Sequence, residues 1–509
     1  MLILAVLGIA LAGCAGPDGS DTHRGESLES FTGRLDERIP ELMDRYEVPG
    51  ATIAIIDEAE LVWSQAYGFA DVESASPMTV ESLSRTESIS KPVTAWAVMS
   101  LVRDGEIDLD QPALSYIEDW DFPETPFAEE RVTVRQLLSH TAGLPLGTIG
   151  VHYPPQGEMP SLEANLTSEA NLVTQPGTAF LYSNVGFNVL ELVIEGASGQ
   201  DFAAYMKREV LDPLGMDHST FDMSTSLARR VPTGYDLEGN SVPPYVYPEK
   251  ASGGLLAPVE DVARFVAAGM AAPQDSATPV LDPESVEQLY TTTVRVSGHY
   301  QLVSESYGLG HFLETVSTGR LAVWHGGQGH GWMTHFHSIP ETGDGIVILT
   351  NSQRSWPMIA GILGDWSEWT GSSPIGMTVI TTATVILWTV ISTLLAVVLW
   401  QLWRVGGGMF TRERRFAPTS GLGSGQRLIQ AAASALLASM VVVGTALDFW
   451  EFFLIPIFPI AAAWLKASLL ALVGVLILSA ATPPDQLNRE SRDKTPVSAY
   501  SSLPDLSCR

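Results

Sequence analysis

Three apolar runs crowd the C-terminal part of the chain: Ile375–Trp403, Leu428–Val443 reaching toward Trp450, and Ile457–Ala480. A helix of about 20 apolar residues bonds all of its backbone polar groups internally and is long enough to cross a bilayer. The runs therefore predict about three transmembrane helices within residues 375–482. Trp403, Trp450 and Trp464 fall near the proposed ends, where aromatic side chains collect at the lipid–water boundary. The connector between the first two runs carries Arg404, Arg412, Arg414, Arg415 and Arg427 against the single acid Glu413, and the next connector has no Lys or Arg. The positive connector is expected on the cytoplasmic side. That puts everything before residue 375 on the extracellular face and residues 483–509, with Arg489, Arg492, Lys494 and Arg509, back inside.

The front of the chain has the opposite character. Through residue 371 there are 18 Lys and Arg against 51 Asp and Glu, a net −33, while the rest of the 509 residues sums to +3. A surface so acidic repels nucleic acid and anionic lipid and resists self-association. Only five lysines occur in the whole sequence, a bias that suits a halophile-like, high-salt setting. The two cysteines, Cys14 and Cys508, exclude a disulfide scaffold and a cysteine-ligated zinc. Cys14 closes "LAGC" after the apolar "MLILAVLGIA", which resembles a lipoprotein signal peptide. Residues 1–27 are read as that signal and a polar tether, with Cys14 the lipidation site, so membrane lipid is an expected partner.

Between tether and tail, the alternation of patterns predicts one domain over residues 28–371. Leu28, Phe31, Leu35, Ile39, Leu42 and Tyr46 form a helical stripe. "ATIAIIDEAELVWSQAYG" reads as a hairpin turning at Asp57–Glu60. "RLAVWHGG", "GWMTHFHSI" and "GIVILTN" read as a three-stranded meander. Strands at both ends with helices between them imply a single sheet assembled from distant segments, an α+β domain with a helical insertion.

Three motifs carry chemistry. In Ser88-Ile89-Ser90-Lys91 the serine and lysine share a helix face. Pro92, tolerated only in a first turn, places Ser88 at the helix start, where its N–H has no intrahelical partner. The apolar run Val93–Val102 predicts a buried helix, in which a lysine can titrate low enough to act as a base. Tyr182-Ser183-Asn184 opens another helix. A tyrosine near Lys91 is expected to have its phenol pKa pulled down, and Asn184 to hydrogen-bond the lysine or a substrate amide. His325-Gly326-Gly327-Gln328 ends a strand, with paired glycines that would let a substrate backbone approach.

In this order the motifs resemble those of the serine β-lactamase and penicillin-binding-protein superfamily, nearest the branch of class C β-lactamases, D-aminopeptidases, D-alanyl-D-alanine carboxypeptidases and related esterases. "LLSHTAGLP", "PLGMDHSTF", "ASGGLLAPVEDVARF" and "PETGDGIVILTNS" look like the same branch. The resemblance covers about Leu28–Trp366 and implies a three-layer α/β/α fold with a mostly antiparallel sheet. It further implies Ser88 as nucleophile, Lys91 and Tyr182 as base system, and Asn184, His325, Gly326 and Gly327 as orienting residues. The N–H groups of Ser88 and Gln328 would form the oxyanion hole. The implied partner is a small peptide, amide or ester, and no cofactor or metal is called for. His325 departs from the lysine of true β-lactamases. Without a permanent cation there, peptidase or esterase action is expected over efficient β-lactam hydrolysis. The rival readings are a receptor acylated by its ligand, a non-catalytic binding protein, and a metal site built on His325, His330, His335 and His337.

Overall fold

The computed structural model describes residues 26–147, 151–223, 227, 230–270, 280–418, 425–446 and 454–484. The signal-like segment, Cys14, Trp450 and the tail from residue 485 lie outside them. The chain divides into two compact units, one through Ala383 and one from Thr384.

The first unit opens with helix α1 (Leu28–Tyr46). Strands β1 (Gly50–Asp57), β2 (Glu60–Asp71) and the short β3 (Ser76–Pro77) follow. A helical insertion then includes α2 (Ser90–Arg103), α3 (Asn184–Ser198) and α4 (Val259–Ala268). The chain returns to the sheet through β4 (Val294–Arg295), β5 (Ser306–Tyr307), β6 (Phe312–Thr315), β7 (Leu321–Gly329), β8 (Trp332–Ile339) and β9 (Asp344–Thr350), and closes with α5 (Trp356–Trp369). The nine strands lie in the order β3-β2-β1-β9-β8-β7-β6-β5-β4, every neighbouring pair antiparallel. The expected meander is β7-β8-β9, and β9 pairs with β1 from Ala51↔Thr350 to Ile56↔Gly345.

Strand alternation sends side chains to two faces. On one, Ala54, Ile56, Phe336, Val347 and Leu349 join the main core with apolar residues of α2 and α4. On the other, His335 and His337 meet Trp356 and Trp366 of α5, with ring centroids 6.4 and 5.5 Å apart. Phe31 of α1 stacks on Trp369 of α5 at 4.5 Å, completing the outer layer. The three-layer expectation therefore holds. In α1 the predicted stripe is buried at Phe31, Leu35, Ile39 and Leu42, whereas Tyr46 is only half-buried.

The second unit contains most of α6 (Val379–Phe410) together with α7 (Gly425–Ala446) and α8 (Pro459–Ala481). Gly376–Phe410, Arg427–Thr445 and Pro459–Ala481 are long and apolar enough to cross a membrane. Trp403 and Trp464 are exposed.

Candidate active site

Ser88 sits in a single 3₁₀ turn, Glu87–Ile89, that runs directly into α2. Pro92 occupies the first turn of α2, and Ser90–Leu101 are all buried, so the helix start is fixed from every side. Ser90 Oγ donates back to Glu87 O over 2.6 Å and accepts from Leu255 N–H over 3.0 Å. This anchorage leaves Ser88 partly exposed while Lys91 is fully buried.

The Lys91 ammonium donates three hydrogen bonds: to Ser88 Oγ at 3.0 Å, Asn184 Oδ1 at 2.7 Å and Ser252 O at 2.9 Å. Burial pushes its pKa down to about 7, with Glu87 pulling the other way. At neutral pH a large share of Lys91 is thus a free amine beside the serine hydroxyl.

Tyr182-Ser183-Asn184 enters α3, and its middle residue is the cap. Ser183 Oγ accepts from Gly186 N–H at 3.0 Å and donates to Pro145 O at 2.6 Å. Ser183 N–H donates to His140 Nδ1 at 3.1 Å. These bonds aim Asn184 at the lysine and stand Tyr182 over Ser88. Lys91 Nζ lies 5.1 Å from the centre of the Tyr182 ring. The phenol does not behave as expected. Burial holds its pKa well above 10 and the neighbouring Tyr300 adds to this, while a hydrogen bond with Ser88 opposes them. The physical reason is that desolvation of a buried phenolate outweighs what its polar neighbours return. Tyr182 therefore keeps its proton at neutral pH.

Only the first part of β7 pairs with β6, whose Phe312 matches Trp324. From His325 onward β7 keeps β8 on one side and turns its other edge toward the Ser88 turn. His325 is buried, its Nδ1 2.8 Å from Gly326 O and its Nε2 3.3 Å from the Tyr307 hydroxyl. Burial, then the nearby Lys91, drives its pKa well below 6.5, so the ring is neutral. The glycines also have a packing role. A Cβ on Gly327 would lie 2.2 Å from Thr86 O, and one on Gly326 would lie 2.7 Å from the Trp356 ring. They let the strand close on the Ser88 turn and on α5. The Gln328 side chain points away, accepting from Trp356 Nε1 at 3.0 Å, which leaves only its backbone for the site.

Several contributors went unread in the sequence. Glu191 of α3 accepts the N–H groups of Lys250 and Ala251 at 2.7 and 2.8 Å, and so holds the loop that offers Ser252 O to Lys91. Tyr300 stacks on Tyr182 at 5.1 Å and on Phe312 at 5.5 Å, giving the site an aromatic wall. Glu87, immediately before Ser88, is buried with a positive φ of 52°. "LLSHTAGLP", "ASGG" and "TES" were visible as stretches, but nothing in them says which atom faces the lysine. His335 and His337 do share a strand face, but it is the face opposite the serine, against α5. His335 Nε2 and His337 Nδ1 are 3.4 Å apart there.

The antiparallel sheet, its helical insertion and the serine–lysine, tyrosine and glycine-edge elements meeting at one point define a serine-hydrolase-like fold of the β-lactamase and penicillin-binding-protein group. The chain belongs to the Beta-lactamase family, which it matches over residues 35–361. It is similar to Protein flp of Staphylococcus aureus, 23% identical over an alignment of 337 residues that covers 62% of this chain and 62% of that protein. It thus spans less than two thirds of that relative's length. Among solved structures it resembles the octameric penicillin-binding protein homologue from Pyrococcus abyssi, with TM-score 0.56 and 29% identity over 65% of this chain and 77% of that one. It also resembles SurE with D-Leu, with TM-score 0.55 and 25% identity over 67% and 76%.

Proposed function

We propose that the protein is a membrane-anchored serine hydrolase that cleaves amide or ester bonds, of the D-amino-acid peptidase or esterase type, through an acyl-enzyme on Ser88. One observation carries this reading: the Lys91 amine, buried and titrating near neutrality, lies 3.0 Å from the Ser88 hydroxyl. As a free amine, Lys91 takes the Ser88 proton while Oγ attacks the substrate carbonyl carbon. Negative charge develops on the carbonyl oxygen, where the N–H groups of Ser88 and Gln328 act as the oxyanion donors. Tyr182, protonated, hands a proton to the departing amine or alcohol as Lys91 returns one to it. Water then attacks the acyl-enzyme by the same route in reverse.

The neutral His325 and the stacked Tyr182, Tyr300 and Phe312 favour an uncharged or apolar group against the β7 edge over a carboxylate. That weighs against efficient β-lactam hydrolysis. The likeness to SurE with D-Leu supports a D-residue on the acyl or leaving side. The arginines flanking the first connector support a cytoplasmic position for it and an extracellular one for the catalytic domain, with lipidation at Cys14 as a second anchor.

Full-length protein in detergent and high salt, screened with p-nitrophenyl esters, D-amino-acid peptides and nitrocefin, tests the reading. Turnover and fluorophosphonate labelling should both vanish in Ser88→Ala. Labelling without turnover would replace the hydrolase with an acylated receptor, and neither would leave a binding protein.

A further inference from the structure

Glu87 combines three unusual properties. It precedes the nucleophile, it is buried, and its φ of 52° lies in the left-handed region that side chains other than glycine adopt reluctantly. Its carboxylate is clamped at both oxygens. Oε1 accepts from Arg85 Nε at 3.0 Å and from the Tyr245 hydroxyl at 2.9 Å, and Oε2 accepts from the Tyr247 hydroxyl at 3.3 Å. Arg85 is fixed in turn, its Nη1 donating to Tyr245 O at 2.8 Å and its guanidinium lying 3.8 Å over the Tyr245 ring. The far side of Glu87 meets the β7 edge. A Cβ on Gly329 would lie 2.2 Å from Glu87 Cδ, and one on Gly327 would lie 3.1 Å from Glu87 Cβ. One side chain therefore touches the turn that bears the nucleophile, the strand that faces it, and the segment that carries Tyr245 and Tyr247.

We propose that Glu87 is a positioning residue of the active centre: its clamped carboxylate locks the left-handed turn that presents Ser88 and sets the gap between that turn and the β7 edge. A strained backbone persists only where its surroundings over-determine it, and here a buried ion pair and two phenols do so. The inference rests on the serine hydrolase reading and deepens it. The same carboxylate acts on the base from a distance, since its negative charge favours protonated Lys91. The other titratable groups around that amine are Tyr182, His140 and His325.

The test is the rate of Ser88 labelling by a fluorophosphonate, measured against pH in the full-length protein, for wild type and Glu87→Gln. The substitution keeps the volume and removes the charge. The plateau rate should fall at least tenfold, and the acid limb should move to lower pH, because losing a negative neighbour makes Lys91 easier to deprotonate. A structural lesion alone would slow labelling without moving the limb. An unchanged plateau and limb in a labelled wild type overturns the role of Glu87, whereas a wild type that fails to label overturns the hydrolase reading instead. Should Glu87→Gln not fold, Tyr245→Phe with Tyr247→Phe removes two of the clamping hydroxyls and keeps the charge. At least a fivefold slower plateau with the limb in place is then expected, and an unchanged rate refutes the clamp.

Discussion

Lys91 Nζ reaches Asn184 Oδ1 over 2.7 Å, joining the start of α2 to the start of α3, two helices almost a hundred residues apart in sequence. The bond holds the amine in place whether or not it carries a proton. Replacing Lys91 by methionine keeps the buried chain and deletes the base. Turnover should fall by about 10²–10⁴-fold, with Ser88 still present but labelled correspondingly slowly. Near-wild-type labelling would move the base role elsewhere.

The pH dependence has a definite sign. Only deprotonated Lys91 can accept the Ser88 proton, and burial sets its pKa at about 7. The rate of acylation should therefore rise through pH 7 and level off above it. Stability should follow the same direction. Because the unfolded lysine holds its proton up to about pH 10, the unfolded state binds more protons between those values, and this residue adds stability as pH rises across them. A rate profile flat from pH 5 to 9 contradicts the assignment.

His325→Lys places a cation at the middle of β7, which continues past His325 to Gly329 instead of ending there as the sequence suggested. Anionic β-lactams should then acylate Ser88 faster by tenfold or more, since a charge pair in a dry site is strong, while neutral ester turnover gains nothing. Competition between nitrocefin and a neutral ester reads out the difference. Equal acceleration of both substrates would show that charge at this position does not select the substrate.

Two glycines offer opposite outcomes. Gly327→Ala drives a methyl into Thr86 O and the Thr334 hydroxyl, which lie 2.2 and 2.3 Å from its position. It should cost about 1–3 kcal/mol, read as a lower Tm, and abolish labelling because the Ser88 turn must retreat. Gly33→Ala in α1 meets nothing within 4 Å, and should raise stability by about 0.5–1 kcal/mol through helix propensity.

The acidic front domain gives a salt prediction. Thermal melts of the full-length protein should shift upward as KCl rises from about 0.1 M to 1 M, where the screening length falls from roughly 10 to 3 Å and mutual repulsion of the −33 charge carried by residues 1–371 is suppressed. A Tm that falls with salt would remove the high-salt interpretation.

Much of this architecture is local enough to read directly. The stripe of α1, the β1–β2 hairpin, the meander and the three apolar helices all follow from periodicity, which needs only neighbouring residues. The three motifs were legible because each packs its chemistry into four or fewer positions. What escaped is long-range or depends on the balance of two effects. Ser252 contributes a carbonyl, which any residue type could supply, and Glu191 acts through two backbone N–H groups of a distant loop. The partner of Gly327 is a backbone oxygen 241 positions earlier, at Thr86, so the sequence shows a glycine and not what it makes room for. The Tyr182 phenol runs against the sequence expectation because its burial outweighs the hydrogen bond from Ser88, a balance that only coordinates reveal.

Pairing of β1 with β9 brings together segments separated by roughly 300 residues. The hairpin made early in synthesis must wait, one edge bare, until almost the whole globular portion has emerged. Contacts so distant make assembly slow, and an unsatisfied edge invites the wrong partner in the meantime. A premature stop anywhere upstream of residue 344 leaves that edge permanently open, so truncated products should aggregate instead of persisting as smaller stable fragments.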